Sequence, residues 1–156
     1  MIVNFYKYHG TGNDFILIDD RREVFDINNQ DLIKSCCERR FGVGADGLIL
    51  LRNHNIYDFE MLFFNSTGER STFCGNGARC IIAFSNYLGI TDKEIKFWAH
   101  DGLHEGIVFE DMIKLKMRDV NQINVKKEFI TLDTGSPHLV KIVKELRKLD
   151  VITEGS

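Results

Sequence analysis

The stretch Asn76-Gly-Ala-Arg-Cys-Ile-Ile-Ala-Phe-Ser-Asn-Tyr-Leu-Gly89 decides the fold. It predicts a helix from Asn76 or Gly77 to Leu88, stopped by Gly89, the residue type that most readily takes the left-handed terminating conformation. Ala78, Cys80, Ile81, Ile82, Ala83, Phe84, Tyr87 and Leu88 surround the axis and leave only Arg79, Ser85 and Asn86 polar. A helix that is apolar on nearly every side belongs in an interior.

Around this helix the chain is rich in strands. It holds 13 glycines and one proline in 156 residues, and short β-branched and aromatic runs alternate with glycine turns. Strands are predicted at Ile2–Tyr8, Phe15–Asp19, Leu48–Arg52, Phe59–Phe64, Glu94–Ala99, Leu103–Phe109, Ile113–Met117 and Phe129–Leu132. Hairpin-like turns such as His100-Asp101-Gly102 and Glu110-Asp111 argue for antiparallel neighbours. The simplest way to bury one helix among so many strands is to wrap the strands about it, which makes the fold α+β with a central buried helix.

A second helix is predicted from about Gln30 to Arg40, opened by Asn28 or Asn29 as cap. Leu32, Ile33, Cys36 and Cys37 fall on one stripe of it, so both cysteines read as core. From about Asp119 to Lys127 the sequence turns polar and irregular, which suggests a domain crossing and a division into residues 1–118 and 119–156. The second part offers one or two strands and a short charged helix, Val143–Leu149, too little for an independent core. The expectation is a first domain followed by the beginning of an incomplete second one.

A net charge of −3, from 20 basic and 23 acidic residues mixed along the chain, supplies no basic field for nucleic acid or an anionic membrane. A small-molecule partner is the default. No apolar run approaches a membrane span, and Met1 to Tyr8 lacks the pattern of a secretory signal, so a cytoplasmic place is expected. The spacings of Cys36, Cys37, Cys74 and Cys80 suit neither a disulfide frame nor a zinc site. No lysine stands out as a pyridoxal anchor, and no cofactor is expected.

The residues richest in chemistry lie just before the central helix. Phe64-Asn65-Ser66-Thr67-Gly68-Glu69 precedes Cys74-Gly75-Asn76-Gly77-Ala78-Arg79-Cys80, which sets a thiol at a helix start. Free backbone N–H groups there, and the positive end of the helix dipole, favour a thiolate over a thiol and also receive a carboxylate. One loop can thus hold a base and the anion of an amino acid. A glycine-rich turn with a structural cysteine accounts for the same residues equally well. Cys80, one and a half turns further on, points elsewhere and reads as core. The loops His9-Gly10-Thr11-Gly12-Asn13-Asp14 and Phe41-Gly42-Val43-Gly44-Ala45-Asp46-Gly47 look suited to binding, but neither sits between a strand and a helix start as a nucleotide loop would.

His9 to Phe15, Gly42 to Gly47, Asn65 to Glu69, Cys74 to Cys80 and Gly135-Ser136-Pro137-His138 occur in the order and approximate spacing of diaminopimelate epimerases, and the chain resembles that family from Met1 to at least Val140. The resemblance implies two similar domains, each a β-structure around a central helix, with the site in the cleft between them. It implies cofactor-independent epimerisation of LL- to meso-diaminopimelate by two cysteines, with Cys74 as one acid/base group. His138 then supports proton handling, and Asn13, Asn65, Gly75 and Asn76 hold the substrate. Ser136 stands where many members have Asn, and Gly47 where some carry a substrate-contacting Gln, so contacts at Gly47 would have to come from backbone. The family's second cysteine falls in a later motif, and no cysteine follows Cys80. A homodimer is implied by the resemblance alone. Two rival readings are a racemase of the same fold acting on histidine or proline, and a non-catalytic amino-acid-binding module.

Overall fold

The computed structural model describes residues 2–154 and divides into two compact units, Met1–Met117 and Arg118–Ser156. The first contains β1 (Tyr6–Gly10), β2 (Asn13–Asp19), α1 (Gln30–Cys37), β3 (Gly47–Arg52), β4 (Phe59–Asn65), α2 (Gly75–Tyr87), β5 (Glu94–Ala99), β6 (Gly102–Phe109) and β7 (Met112–Leu115). The second contains β8 (Ile123–Val125), β9 (Ile130–Asp133), β10 (Pro137–Val140), a 3₁₀ turn (Leu146–Lys148) and α3 (Val151–Glu154).

The seven strands of the first unit form one sheet in sequence order. The hairpins β1/β2, β3/β4, β5/β6 and β6/β7 are antiparallel as their turns predict, but β2/β3 and β4/β5 are parallel. The reason is the two helices. Each parallel pair needs a crossover, and α1 and α2 supply them.

The two helices cover opposite faces of the sheet. Phe15, Leu17, Ile49, Leu51, Phe59 and Met61 turn toward α2, while Ile16, Ile18, Leu48, Leu50, Leu62 and Phe64 join Phe25, Ile33, Cys37 and Ala45 around α1. Strands buried on both sides read as unbroken apolar runs, which is what Phe15-Ile-Leu-Ile18 and Leu48-Ile-Leu-Leu51 show. In β5 the alternation is strict, with Ile95, Phe97 and Ala99 inward and Glu94, Lys96 and Trp98 outward.

α2 touches β1, β2, β3, β4, β6 and β7, so both outermost strands reach it and the sheet curls round the helix. Ala78, Ile81, Ile82 and Phe84 are fully enclosed, and each large side chain among them contributes on the order of 1.5–3 kcal/mol of burial. At Gly77 a Cβ would lie 2.8 Å from Ile49 Cδ1, so a larger residue at the helix start would have to displace that side chain on β3. Gly89, with φ +67°, ends the helix as expected. Two details differ from the sequence reading. Tyr87 is 66% exposed, while Ser85 is buried, donating to Ile82 O at 2.8 Å and pairing with Thr91 Oγ1 at 2.9 Å.

Other boundaries move for local reasons. β1 starts at Tyr6 and not Ile2, because the first four residues of the expected strand have no ladder partner in the sheet. α1 stops at Cys37, short of Arg40, since Glu38 turns extended and its carboxylate takes the N–H groups of Arg40 and Phe41. In the second unit β8 and β10 appear where the sequence showed polar irregularity or no strand, flanking β9 in the order β10-β9-β8. The helix expected at Val143–Leu149 does not form. Only the single 3₁₀ turn occupies that span, because Leu146 is 73% exposed and no apolar face is covered to stabilise a short helix.

Candidate active site

The β1–β2 turn, the start of β3, the end of β4 and the start of α2 meet at one end of the sheet. Register carries this: Gly10 pairs with Asn13, Phe15 with Gly47, and Gly47 with Asn65. The turn between Gly10 and Asn13 is two residues long with Thr11 at φ +55° and Gly12 at φ +89°. Positive φ at a β-branched residue costs on the order of 1–2 kcal/mol, a strain typical of functional turns.

Cys74 is the N-cap residue of α2, with extended backbone (φ −126°, ψ 114°) and no side-chain cap bond of its own. Its carbonyl accepts the first helical bond from Ala78 N at 2.8 Å. The sulfur is half-buried and lies 3.8 Å from Asn13 Oδ1. Asn76 Nδ2 donates to the same oxygen at 3.3 Å, and Asn76 Oδ1 accepts from Arg79. The N–H groups of the first helical turn have no intrahelical acceptor, which suits this end of the helix to receive an anion.

Asn13 is held from its other side by Asp46, whose Oδ2 accepts from Asn13 Nδ2 at 2.9 Å and from Asp14 N at 3.1 Å. Arg39 bridges Asp46 Oδ1 and Asp14 Oδ1, both at 2.7 Å, and Lys7 reaches Asp14 at 2.7 Å. The Arg39 guanidinium, with Lys7 behind it, holds the Asp14 carboxyl well below the usual carboxylate range. The other cysteines behave as core. Burial pushes the Cys37 and Cys80 thiols up to about 11 and raises Cys36 as well.

The entry to α2 is fixed from the interior. Phe73, buried next to Cys74, lies flat on His104 with ring centroids 3.8 Å apart and planes within 1°. His104 is buried and its Nε2 meets Asp101 Oδ1 at 2.8 Å.

The structure thus brings Cys74, Asn13, Gly75 and Asn76 into one cluster, with Gly47 and Asn65 beside it at the same end of the sheet. Gly47 is buried, and a Cβ there would lie 2.6 Å from the Phe63 ring and 2.7 Å from Phe64 O. Ser136 and His138 belong to the second unit, where His138 Nδ1 faces Ser136 O at 2.7 Å. Sequence reasoning gave no role to Asp46, Arg39, Arg79 or His104. Of these only Asp46 lies in a loop that reads as suited to binding, and partners 33 positions apart, such as Asn13 and Asp46, leave no periodic signal.

A family model described as diaminopimelate epimerase matches residues 5–122. The chain belongs to the diaminopimelate epimerase family. Curated diaminopimelate epimerases include that of Flavobacterium psychrophilum, 49% identical over 152 residues, covering 97% of this chain and 59% of the relative. That of Chlorobaculum tepidum is 40% identical and is matched over 94% of this chain and 60% of its own length. The chain thus spans about 60% of the length of these epimerase relatives. Among solved structures, a phenazine biosynthesis protein of the PhzF family from Bacillus anthracis aligns with a TM-score of 0.71 at 16% identity, over 93% of this chain and 57% of its own. A hydroxyproline epimerase from Agrobacterium vitis aligns with a TM-score of 0.68 at 10% identity, over 97% and 56%. These neighbours show the diaminopimelate epimerase-like fold, a sheet-dominated α+β architecture.

Proposed function

We propose that this chain supplies one face of the active site of a diaminopimelate epimerase, with Cys74 as one of two acid/base groups that invert an α-carbon of LL-diaminopimelate to give the meso form. The observation that carries the reading is the half-buried sulfur at the mouth of an enclosed helix, beside Asn13 and Asn76, in a chain of this family. One sulfur removes the α-proton as thiolate, and a second on the opposite face returns a proton as thiol, so the substrate need not turn over. Gly75 and Asn76 N–H groups and the helix dipole stabilise the charge that builds on the α-carboxylate. Asn13, Asn65, Gly47 and Ser136 would orient the amino acid, and His138 would assist proton handling.

The second sulfur would come from outside these 156 residues, since Cys80 is the last cysteine and is buried. No cofactor is needed for this chemistry. A cytoplasmic, homodimeric enzyme goes with the proposal. Among the described residues no helix is long and apolar enough to cross a membrane.

Replacing Cys74 by Ser in the complete enzyme is expected to cut entry of solvent deuterium at the α-carbon by about 10²–10⁴-fold. Undiminished exchange would remove Cys74 from the mechanism. Binding without any exchange in the unaltered enzyme would indicate an amino-acid-binding module, and preferred turnover of proline or histidine would indicate a racemase of the same fold.

A further inference from the structure

We infer that Asp46, acting through Asn13, holds the free site with Cys74 as a proton donor. The inference builds on the reading of Cys74 as an acid/base group.

A side-chain amide can face either way, and its partners decide which end is nitrogen. At one end of the cluster stands Asp46, a carboxylate that only accepts, already taking Asp14 N and Arg39. Asn13 must therefore turn its NH₂ toward Asp46. At the other end stands Arg79, which only donates, and it claims Asn76 Oδ1. Asn76 must then present Nδ2 to Asn13 Oδ1. The anion and the cation demand the same direction along the chain, so the orientation of Asn13 is specified twice.

The consequence falls on the sulfur. Asn13 offers Cys74 an oxygen, which accepts an S–H and repels an S⁻. A thiolate would favour the reversed amide, but reversal sets the Asn13 oxygen against the Asp46 carboxylate. This opposes the pull toward thiolate from the helix start. The nearby cations are already engaged: Lys7 and Arg39 by Asp14 and Asp46, and Arg79 on α2 by Asn76 Oδ1, while Cys80 on the same helix is held as a thiol. Asp46 is thus a positioning residue that sets which proton state the site presents to an arriving substrate.

The test is the pH profile of Cys74 alkylation by iodoacetamide in the intact protein, with the label located by mass spectrometry. Asp46→Asn keeps the shape and removes the anion's share of the lock, leaving only the 3.3 Å Asn76 contact against reversal, and alkylation at neutral pH is expected to quicken about tenfold, with the profile moved to lower pH. Asp14→Asn removes an equal charge without touching the Asn13 amide and is expected to change the rate less than about threefold. Equal acceleration in both variants reduces the effect to charge alone and overturns the inference, as does no acceleration in Asp46→Asn. Should that variant fail to fold, side-chain amide NMR of Asn13 in the unaltered protein decides. One Nδ2 proton displaced downfield by the carboxylate, and unmoved when Cys74 is thiomethylated, supports the lock; an amide that follows Cys74 modification overturns it. None of these readouts uses turnover, so a failure of the epimerase reading would show separately in the deuterium exchange.

Discussion

The two units differ in what holds them. In residues 2–117 twenty-five hydrophobic side chains are buried, in two clusters on opposite faces of one sheet. In the second unit, among the described residues, no side chain is buried: β8 and β10 are exposed along their length, and β9 is half-buried at best. Both units form hydrogen-bonded antiparallel strands, so ladder formation alone does not separate them. Burial does. A three-stranded sheet with an uncovered face gains little from its side chains, whereas the seven-stranded sheet is closed by a helix on each side.

This contrast can be broken most directly by paired truncations. Phe97→Ala, inside the α2 face of the sheet, is expected to cost about 3–5 kcal/mol of unfolding free energy in denaturant titration. Leu139→Ala in β10, where the side chain is 63% exposed, should stay within about 0.5 kcal/mol. A large loss from the second would mean that residues 118–156 have a core after all.

Ion pairs sharpen the same contrast at a smaller scale. Asp20 is fully buried, accepts Val24 N and Phe25 N at 2.9 Å each, and meets Arg52 at 2.8 Å, which ties the segment after β2 to the end of β3. Arg52→Leu leaves that carboxylate without its counter-charge and is expected to cost about 3 kcal/mol, read by thermal unfolding. Lys148→Ala breaks the exposed 2.6 Å pair with Glu145 in the second unit and should leave the melt unchanged.

A further effect shows in acid. Asp14 has its carboxyl depressed mainly by Arg39, then Lys7, so its contribution to stability is present above the unfolded carboxylate value and is lost as pH falls through and below about 4. The stability gap between the unaltered chain and Asp14→Asn should therefore narrow between neutral pH and pH 3. A gap that stays constant would mean that the Arg39 and Lys7 contacts add nothing to the fold.

The sequence made the first unit readable for the same reason that makes it stable. An all-round apolar helix ended by Gly89, and the unbroken runs of β2 and β3, are direct images of burial. The position of Cys74 at the helix start was likewise legible. What escaped was set by contacts distant in sequence: the parallel pairing of β4 with β5, and the amide orientation that Asp46 and Arg79 impose. β8 and β10 escaped for the opposite reason. With their side chains exposed they need no alternation, so Ile123–Val125 looks like linker.

The flat contact of His104 on Phe73 bears on how steadily a reaction could be run at Cys74. The ring that abuts the sulfur-bearing residue is clamped by an imidazole anchored to the β5–β6 turn, so the chain entering α2 cannot rock without unseating a buried pair. The nucleating end of the helix is thereby a rigid mount, and the aim of the sulfur is inherited from β6 and the turn before it.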